Sequence, residues 1–349
     1  MDIKAHLHQG QVIPALPLAL NKDRKFNEKY QRALVRYYLA AGTGGLAVGV
    51  HSTQFEIRDP EHNLFKPVLQ LASETIDAEL SANPRDYLKI AGICGKTPQA
   101  ISEAETAREL GYQAALLSMV AMSQEEIPAI LEHCKKVSEV LPVIGFYLQP
   151  AVGGRIFPYE FWREFAEIPN VIAIKIAPFN RYQTNDVVRA ICAAGRTDIA
   201  LYTGNDDNII GDLLTPFVFP GPDGKLVSRY IIGGLLGQWG VWTRKAVQLL
   251  EEIKTARQKP SLDASWFTRN AALTDINAVV FDAANKFAGC IPGIHEILRR
   301  QGLLEGIWAL NPEEQLSPGQ SEELDRIYKA YPEWNDDCFV QENLDNWLK

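Results

Sequence analysis

Lys175 sits near the end of the apolar run Val171-Ile172-Ala173-Ile174-Lys175-Ile176-Ala177-Pro178. A lysine among apolar neighbours faces a desolvation cost that lowers its pKa and exposes a neutral amine, the form that attacks a carbonyl. The same residue also fits a side chain that snorkels from a strand end or pairs with a buried carboxylate. Tyr147 closes the preceding run, Val143-Ile144-Gly145-Phe146-Tyr147. Its phenol could carry a proton at the same rim as Lys175, or be an ordinary core aromatic with a satisfied hydroxyl. Ser52 and Thr53 follow Gly45-Leu46-Ala47-Val48-Gly49-Val50-His51. Adjacent hydroxyls and backbone amides at a strand-to-helix turn suit a carboxylate, and equally a helix cap. His51 is either an acid-base group or a rim histidine, and the sequence does not choose.

Gly204-Asn205-Asp206-Asp207 follows a further apolar run, where it would orient a polar substrate or cap the next helix. Gly233-Gly234 and Gly237 stand near the last candidate strand, as a phosphate cradle or as places of close backbone packing. The histidines, His6, His8, His51, His62, His133 and His295, are dispersed and form no ligand cluster in the sequence. No metal site is expected.

These residues need a scaffold that brings strand ends together. Candidate strands are Val12–Leu20, Gly45–Val50, Leu88–Cys94, Ala114–Met119, Val143–Tyr147, Val171–Lys175, Ile199–Tyr202 and Tyr230–Leu236. Phe26, Tyr30, Ala33, Leu34, Tyr37, Tyr38 and Ala41 recur on one helix face that Gly42 ends. A second helix opens at Thr97-Pro98 and closes at Gly111, and a third has a capping box at Ser123 and Glu126, with Pro128 favouring a later start. Eight nearly continuous apolar strands alternating with helices predict an α/β fold, a (β/α)8 TIM barrel over residues 1–245. No G-x-G-x-x-G follows the first strand, which counts against a dinucleotide-binding sheet. Strand signals vanish after Ala246, and Ala246–Arg257, Asp275–Phe287, Gly293–Gln301 and Glu322–Tyr331 predict an appended C-terminal helical domain over residues 246–349. Pro220-Gly221-Pro222-Asp223-Gly224 predicts a small inserted hairpin.

The 349 residues carry a formal charge of −8, with a pI near 5.4. This acidic balance argues against nucleic acid as a partner. The five cysteines lack any C-x-x-C pair, which fits a reducing, cytoplasmic setting. The apolar run Val12–Leu20 holds Pro14 and Pro17, so neither a signal peptide nor a membrane span is expected.

Together these residues resemble the dihydrodipicolinate synthase/N-acetylneuraminate lyase family of class I aldolases and lyases. The resemblance runs from about Val12 to Gly240 and rests on four motifs in order: Ser52-Thr53, Tyr147 in Gly145-Phe146-Tyr147-Leu148-Gln149-Pro150, Lys175 in Ala173-Ile174-Lys175, and Gly204-Asn205-Asp206-Asp207. It implies that Lys175 forms a Schiff base with pyruvate or a related 2-oxo acid, that Tyr147 moves protons, and that Ser52 and Thr53 hold the carboxylate. His51, Gly204, Asn205 and Gly233 are candidate substrate contacts. It implies no metal or organic cofactor, and a homo-oligomer, tetramer or dimer. Gln54 and Phe55 replace the family's glycine and glutamate, Ala121-Met122 replace its tyrosine pair, and Arg155 comes later than its arginine. These departures point away from the lysine-pathway synthase and towards a second substrate bulkier or less polar than aspartate semialdehyde. Gln149 and Arg155 remain as polar contacts, with Trp239 and Trp242 as apolar surface. The expected reaction makes or breaks a carbon–carbon bond. Alternatives are a 2-keto-3-deoxy sugar-acid dehydratase using the same lysine, a non-catalytic sugar-acid-binding barrel, and a phosphate- or flavin-binding barrel using Gly233-Gly234.

Overall fold

The computed structural model describes residues 1–349. Its strands are β1 (Val12–Pro14), β2 (Gly45–Val48), β3 (Leu88–Ile93), β4 (Ala114–Leu117), β5 (Val143–Leu148), β6 (Val171–Ala177), β7 (Ala200–Thr203), β8 (Phe217–Pro220), β9 (Leu226–Arg229) and β10 (Gly233–Leu236). Eight of them form one sheet in the order β1-β10-β7-β6-β5-β4-β3-β2. The two ends of that order meet at an isolated parallel bridge between Ala15 and Ala47, where the Leu16 amide donates to the Ala47 carbonyl at 2.9 Å. The fold is the expected (β/α)8 barrel with a C-terminal helical region. β1 is far shorter than expected because Pro14 and Pro17 cannot donate to a ladder.

The chain divides into two compact units, one of residues 1–11 with 88–235, the other of 12–87 with 236–349. In the first, β3 to β7 pair in parallel register with mostly aliphatic side chains, buried apart from the partly exposed Leu148 and Lys175. Helices Thr97–Glu109, Ile127–Ser138, Tyr159–Phe165 and Arg181–Ala194 follow strands β3 to β6 in turn. The third expected helix starts late, at Ile127, because Pro128 fits only its first turn, so the Ser123 capping box is not used. The inserted hairpin is present: β8 and β9 pair antiparallel, and Gly224 adopts φ +76° in the turn.

In the second unit, helix Glu28–Ala41 is capped by the Asn27 side chain and ended by Gly42 at φ +96°. The helical region packs on it. The Tyr37 hydroxyl donates to Asp336 Oδ2 at 2.8 Å, and the Tyr37 and Trp347 rings lie 5.6 Å apart. Burial raises the pKa of Asp336, against the bonds it accepts from Arg244 N, Gln301 and Tyr37. No helix is long and apolar enough to cross a membrane.

Candidate active site

The pairing of β5 with β6 decides which side chains share a face. Val143 pairs with Val171, a separation of 28 residues, and Tyr147 would meet Lys175 if that register continued. It does not. The register shifts between Val143 and Ile144, so Ile144 pairs with Ala173, Phe146 with Lys175 and Tyr147 with Ile176. One extra residue on β6 turns every later β5 side chain to the opposite face relative to Lys175.

The contacts agree with this parity. A Cβ on Gly145 would lie 2.7 Å from the Phe165 ring, so Gly145 and Tyr147 face the helix Tyr159–Phe165. The Tyr147 ring lies 5.0 Å from Trp162 and 6.1 Å from Phe157. Its hydroxyl donates to the Phe157 carbonyl and accepts from the Phe157 amide, both at 3.3 Å. Burial pushes its pKa up to about 12, against the opposing Phe157 backbone bond. Tyr147, expected as the proton carrier, packs here among aromatic rings with its hydroxyl hydrogen-bonded, and Phe146 pairs with Lys175. Tyr147→Phe should leave turnover within about threefold of wild type, whereas removing a general acid-base group costs about 10²–10⁴-fold. Steady-state kinetics on the active substrate reads the difference.

Lys175 is half-buried on the inner face of the sheet. Its Nζ lies 4.3 Å from the Phe146 ring centroid. Burial lowers its pKa to about 8, although the Asp206 carboxylate acts the other way. At Gly204 a Cβ would lie 2.7 Å from Lys175 Cε and 2.7 Å from Ala177 Cβ. Glycine there lets the lysine stem extend along the neighbouring strand end.

Asn205 does not face a substrate with open valences. It is fully buried, its Oδ1 accepts from the Phe179 amide at 2.9 Å, and its Nδ2 donates to Asp212 Oδ2 at 2.8 Å and Thr184 Oγ1 at 3.3 Å. Asp212, also buried, accepts from Thr203 Oγ1 at 2.7 Å and Asn208 Nδ2 at 3.2 Å, and pairs with Arg181. This network ties the end of β7 to Phe179, whose φ of +51° marks a tight exit from β6. Gly233 is likewise not a cradle. A Cβ there would lie 2.6–2.8 Å from Gln11 backbone atoms and the Tyr202 ring, so the protein's own groups fill the space.

In the other unit, His51–Thr53 form a short 3-10 turn after β2. Thr53 Oγ1 donates to the Leu16 carbonyl at 2.7 Å and accepts from the Gly49 and Val50 amides at 3.0 and 3.3 Å. Its single proton is committed, so Thr53 braces the turn and has no donor left for a carboxylate. Ser52 is different: its Oγ is buried with no hydrogen-bond partner. His51 is exposed, its ring 6.0 Å from Phe55. Gln54 holds φ +68° where glycine would be unstrained, and its Oε1 accepts from the Leu310 amide at 2.6 Å. Sequence reasoning noticed the missing glycine there but not this tie to the C-terminal segment.

Other expected contacts move as well. β4 stops at Leu117, so Ser118 and Met119 follow the strand directly, and Ala121 and Met122 lie in the turn beyond them. Arg155 donates to the Ser123 and Glu125 carbonyls at 3.1 and 2.6 Å. Trp239 and Trp242 are buried, and Trp242 packs 5.3 Å from Tyr328 in the helical region. Asp59, Glu61 and His62 bring ligand-type atoms within 4.8 Å on a largely exposed turn, an ordinary solvated acidic arrangement.

The family model for the dihydrodipicolinate synthetase family matches residues 8–216. The chain belongs to the dihydrodipicolinate synthetase family. A 4-hydroxy-tetrahydrodipicolinate synthase of Cyanothece sp. is 24% identical over 268 residues, covering 75% of this chain and 84% of that one. An N-acetylneuraminate lyase of Citrobacter koseri is 24% identical over 230 residues, 64% of this chain and 70% of its own. A prophage protein of the dihydrodipicolinic acid synthase family from E. coli K12, solved in complex with pyruvate, superposes with a TM-score of 0.72 at 17% identity, covering 93% and 98% of the two chains. Members of the dihydrodipicolinate synthetase family are Schiff-base lyases, and this member is an aldolase-type lyase.

Proposed function

We propose that this family member forms an imine between Lys175 and pyruvate or a related 2-oxo acid, then makes or breaks a carbon–carbon bond. The observation that carries the reading is the Lys175 amine itself, half-buried, beside an aromatic ring and with its pKa lowered to about 8 by burial. Such an amine is partly neutral near pH 7, as attack on a ketone requires. The protonated imine then withdraws electrons from the adjacent carbon, so neither a metal nor an organic cofactor enters the reaction. Ser52, with its unpartnered hydroxyl, is the residue we assign to the carboxylate, in line with the family resemblance. Phe146 offers no proton, so carbinolamine dehydration proceeds through water and the substrate's own carboxylate. We further infer a cytoplasmic homo-oligomer, with all five cysteines free.

Borohydride reduction in the presence of pyruvate should place a substrate-sized mass on the peptide containing Lys175. An adduct on another lysine, or none with any 2-oxo acid, rejects the proposal. A sugar-acid dehydratase would give the same adduct, and product analysis separates the two by loss of water against release of an aldehyde.

The rate of imine trapping should rise with pH and level off above about 8. The neutral amine is the nucleophile, and its fraction grows as pH passes the pKa; an exposed lysine would keep rising to about 10.4. A profile still climbing at pH 9.5 would show that burial does not lower this amine's pKa.

A further inference from the structure

We propose that the aldehyde partner of this reaction is neutral and apolar, of the aromatic-aldehyde class, a conclusion that rests on the imine at Lys175. Beside the amine stands the Phe146 ring, 4.3 Å from Nζ. One step further towards the carboxyl end, the next inward pair is Leu148 with Ala177, next to the bare backbone of Gly204. Beyond the strand ends, Val120 and Ile156 remain 38% and 58% exposed on the turns after β4 and β5. These turns touch: a Cβ on Gly153 would lie 3.7 Å from Val120 Cγ1. The side chains of Phe146, Leu148 and Ala177 near the amine, and of Val120 and Ile156 on the turns, offer no hydrogen-bonding group.

The cations around it are largely engaged by the protein's own acceptors. Arg155 is held by the Ser123 and Glu125 carbonyls, Arg181 by Asp212, and Lys96 pairs with Glu125. Arg181 keeps one buried Nη2 without a partner, while Asp206 places negative charge near Lys175. An aldehyde carrying a carboxylate would be repelled, whereas a planar apolar one would cover the exposed side chains. A polyhydroxylated aldehyde is the competing case, since Asp206 and Asp207 could accept from its hydroxyls.

The step balances without a further reactant except water. The imine loses a proton from its methyl carbon to give the enamine. That carbon attacks the aldehyde carbon, and the new alkoxide takes a proton. Water then hydrolyses the imine, releasing the 4-hydroxy-2-oxo acid and the free Lys175 amine. The reverse sequence releases the aldehyde.

The test uses the full chain with pyruvate in two arms. Borohydride trapping at Lys175 comes first, and its failure rejects the imine itself. With trapping intact, kcat/KM for benzaldehyde should exceed that for aspartate semialdehyde, glyceraldehyde and N-acetylmannosamine by about tenfold or more. Equal or better use of any of these polar aldehydes overturns the aldehyde assignment alone. Val120→Asp and Ile156→Asp, both at exposed positions, should raise KM for benzaldehyde by about tenfold while pyruvate trapping stays at the wild-type rate. An unchanged KM in both variants also overturns it.

Discussion

Lys175→Ala is expected to lower turnover by about 10⁴-fold or more and to abolish borohydride trapping with pyruvate. The size follows from the role: without the amine there is no covalent intermediate, and the remaining binding groups cannot withdraw electrons from the substrate carbon. Lys175→Arg should fail in the same way, because a guanidinium stays charged and is not a nucleophile at neutral pH. The fold supplies the control. The lysine stem packs along Gly204 and the amine lies over Phe146. Lys175→Met keeps the stem and removes a group whose charged form burial disfavours. That variant should be at least as stable as wild type in urea while remaining inactive. A Lys175→Ala protein that retained a tenth of the activity would move the chemistry to another residue.

Asp212→Ala should cost about 3 kcal/mol of stability, measured as a lower urea midpoint with the slope unchanged. Asp212 accepts from Thr203, Asn205 and Asn208 and pairs with Arg181. Its removal strands one N–H of the buried Asn205 amide and the Thr203 hydroxyl, each carrying an unsatisfied-donor penalty of about 1–3 kcal/mol. The ion pair adds less than a buried one would, because the Arg181 side chain is 42% exposed. The network also holds Phe179, just past the end of the strand that carries Lys175. Activity should therefore fall as well, with imine trapping slowed. A loss below about 1 kcal/mol would mean that water replaces the carboxylate without strain.

The alternation of apolar runs with helical faces was enough to fix the barrel, because burial on both sides of a parallel sheet writes near-continuous Val, Ile, Leu and Ala into the strands. It was also enough to single out Lys175, since a cation inside such a run carries a desolvation cost that a structural position rarely bears. The hairpin over Phe217–Arg229 was legible from Pro220-Gly221-Pro222-Asp223-Gly224.

What the sequence could not determine is which neighbours face that lysine. A spacing of 28 residues put Tyr147 beside Lys175, and one irregularity between Val143 and Ile144 put Phe146 there instead. Residue count along the chain is blind to a bulge, yet side-chain direction in a strand has period two, so a single extra residue reverses it. The engagement of the polar candidates was hidden for a related reason. Thr53, Asn205 and Arg155 have the donors that bind substrates, but long-range partners such as the Leu16 carbonyl, Asp212 and the Glu125 carbonyl take them. Whether a donor is open or committed is a property of three-dimensional neighbours, and buried polar groups find partners wherever the fold supplies them. Ser52, alone of the hydroxyl pair, was left without a partner by the tertiary structure.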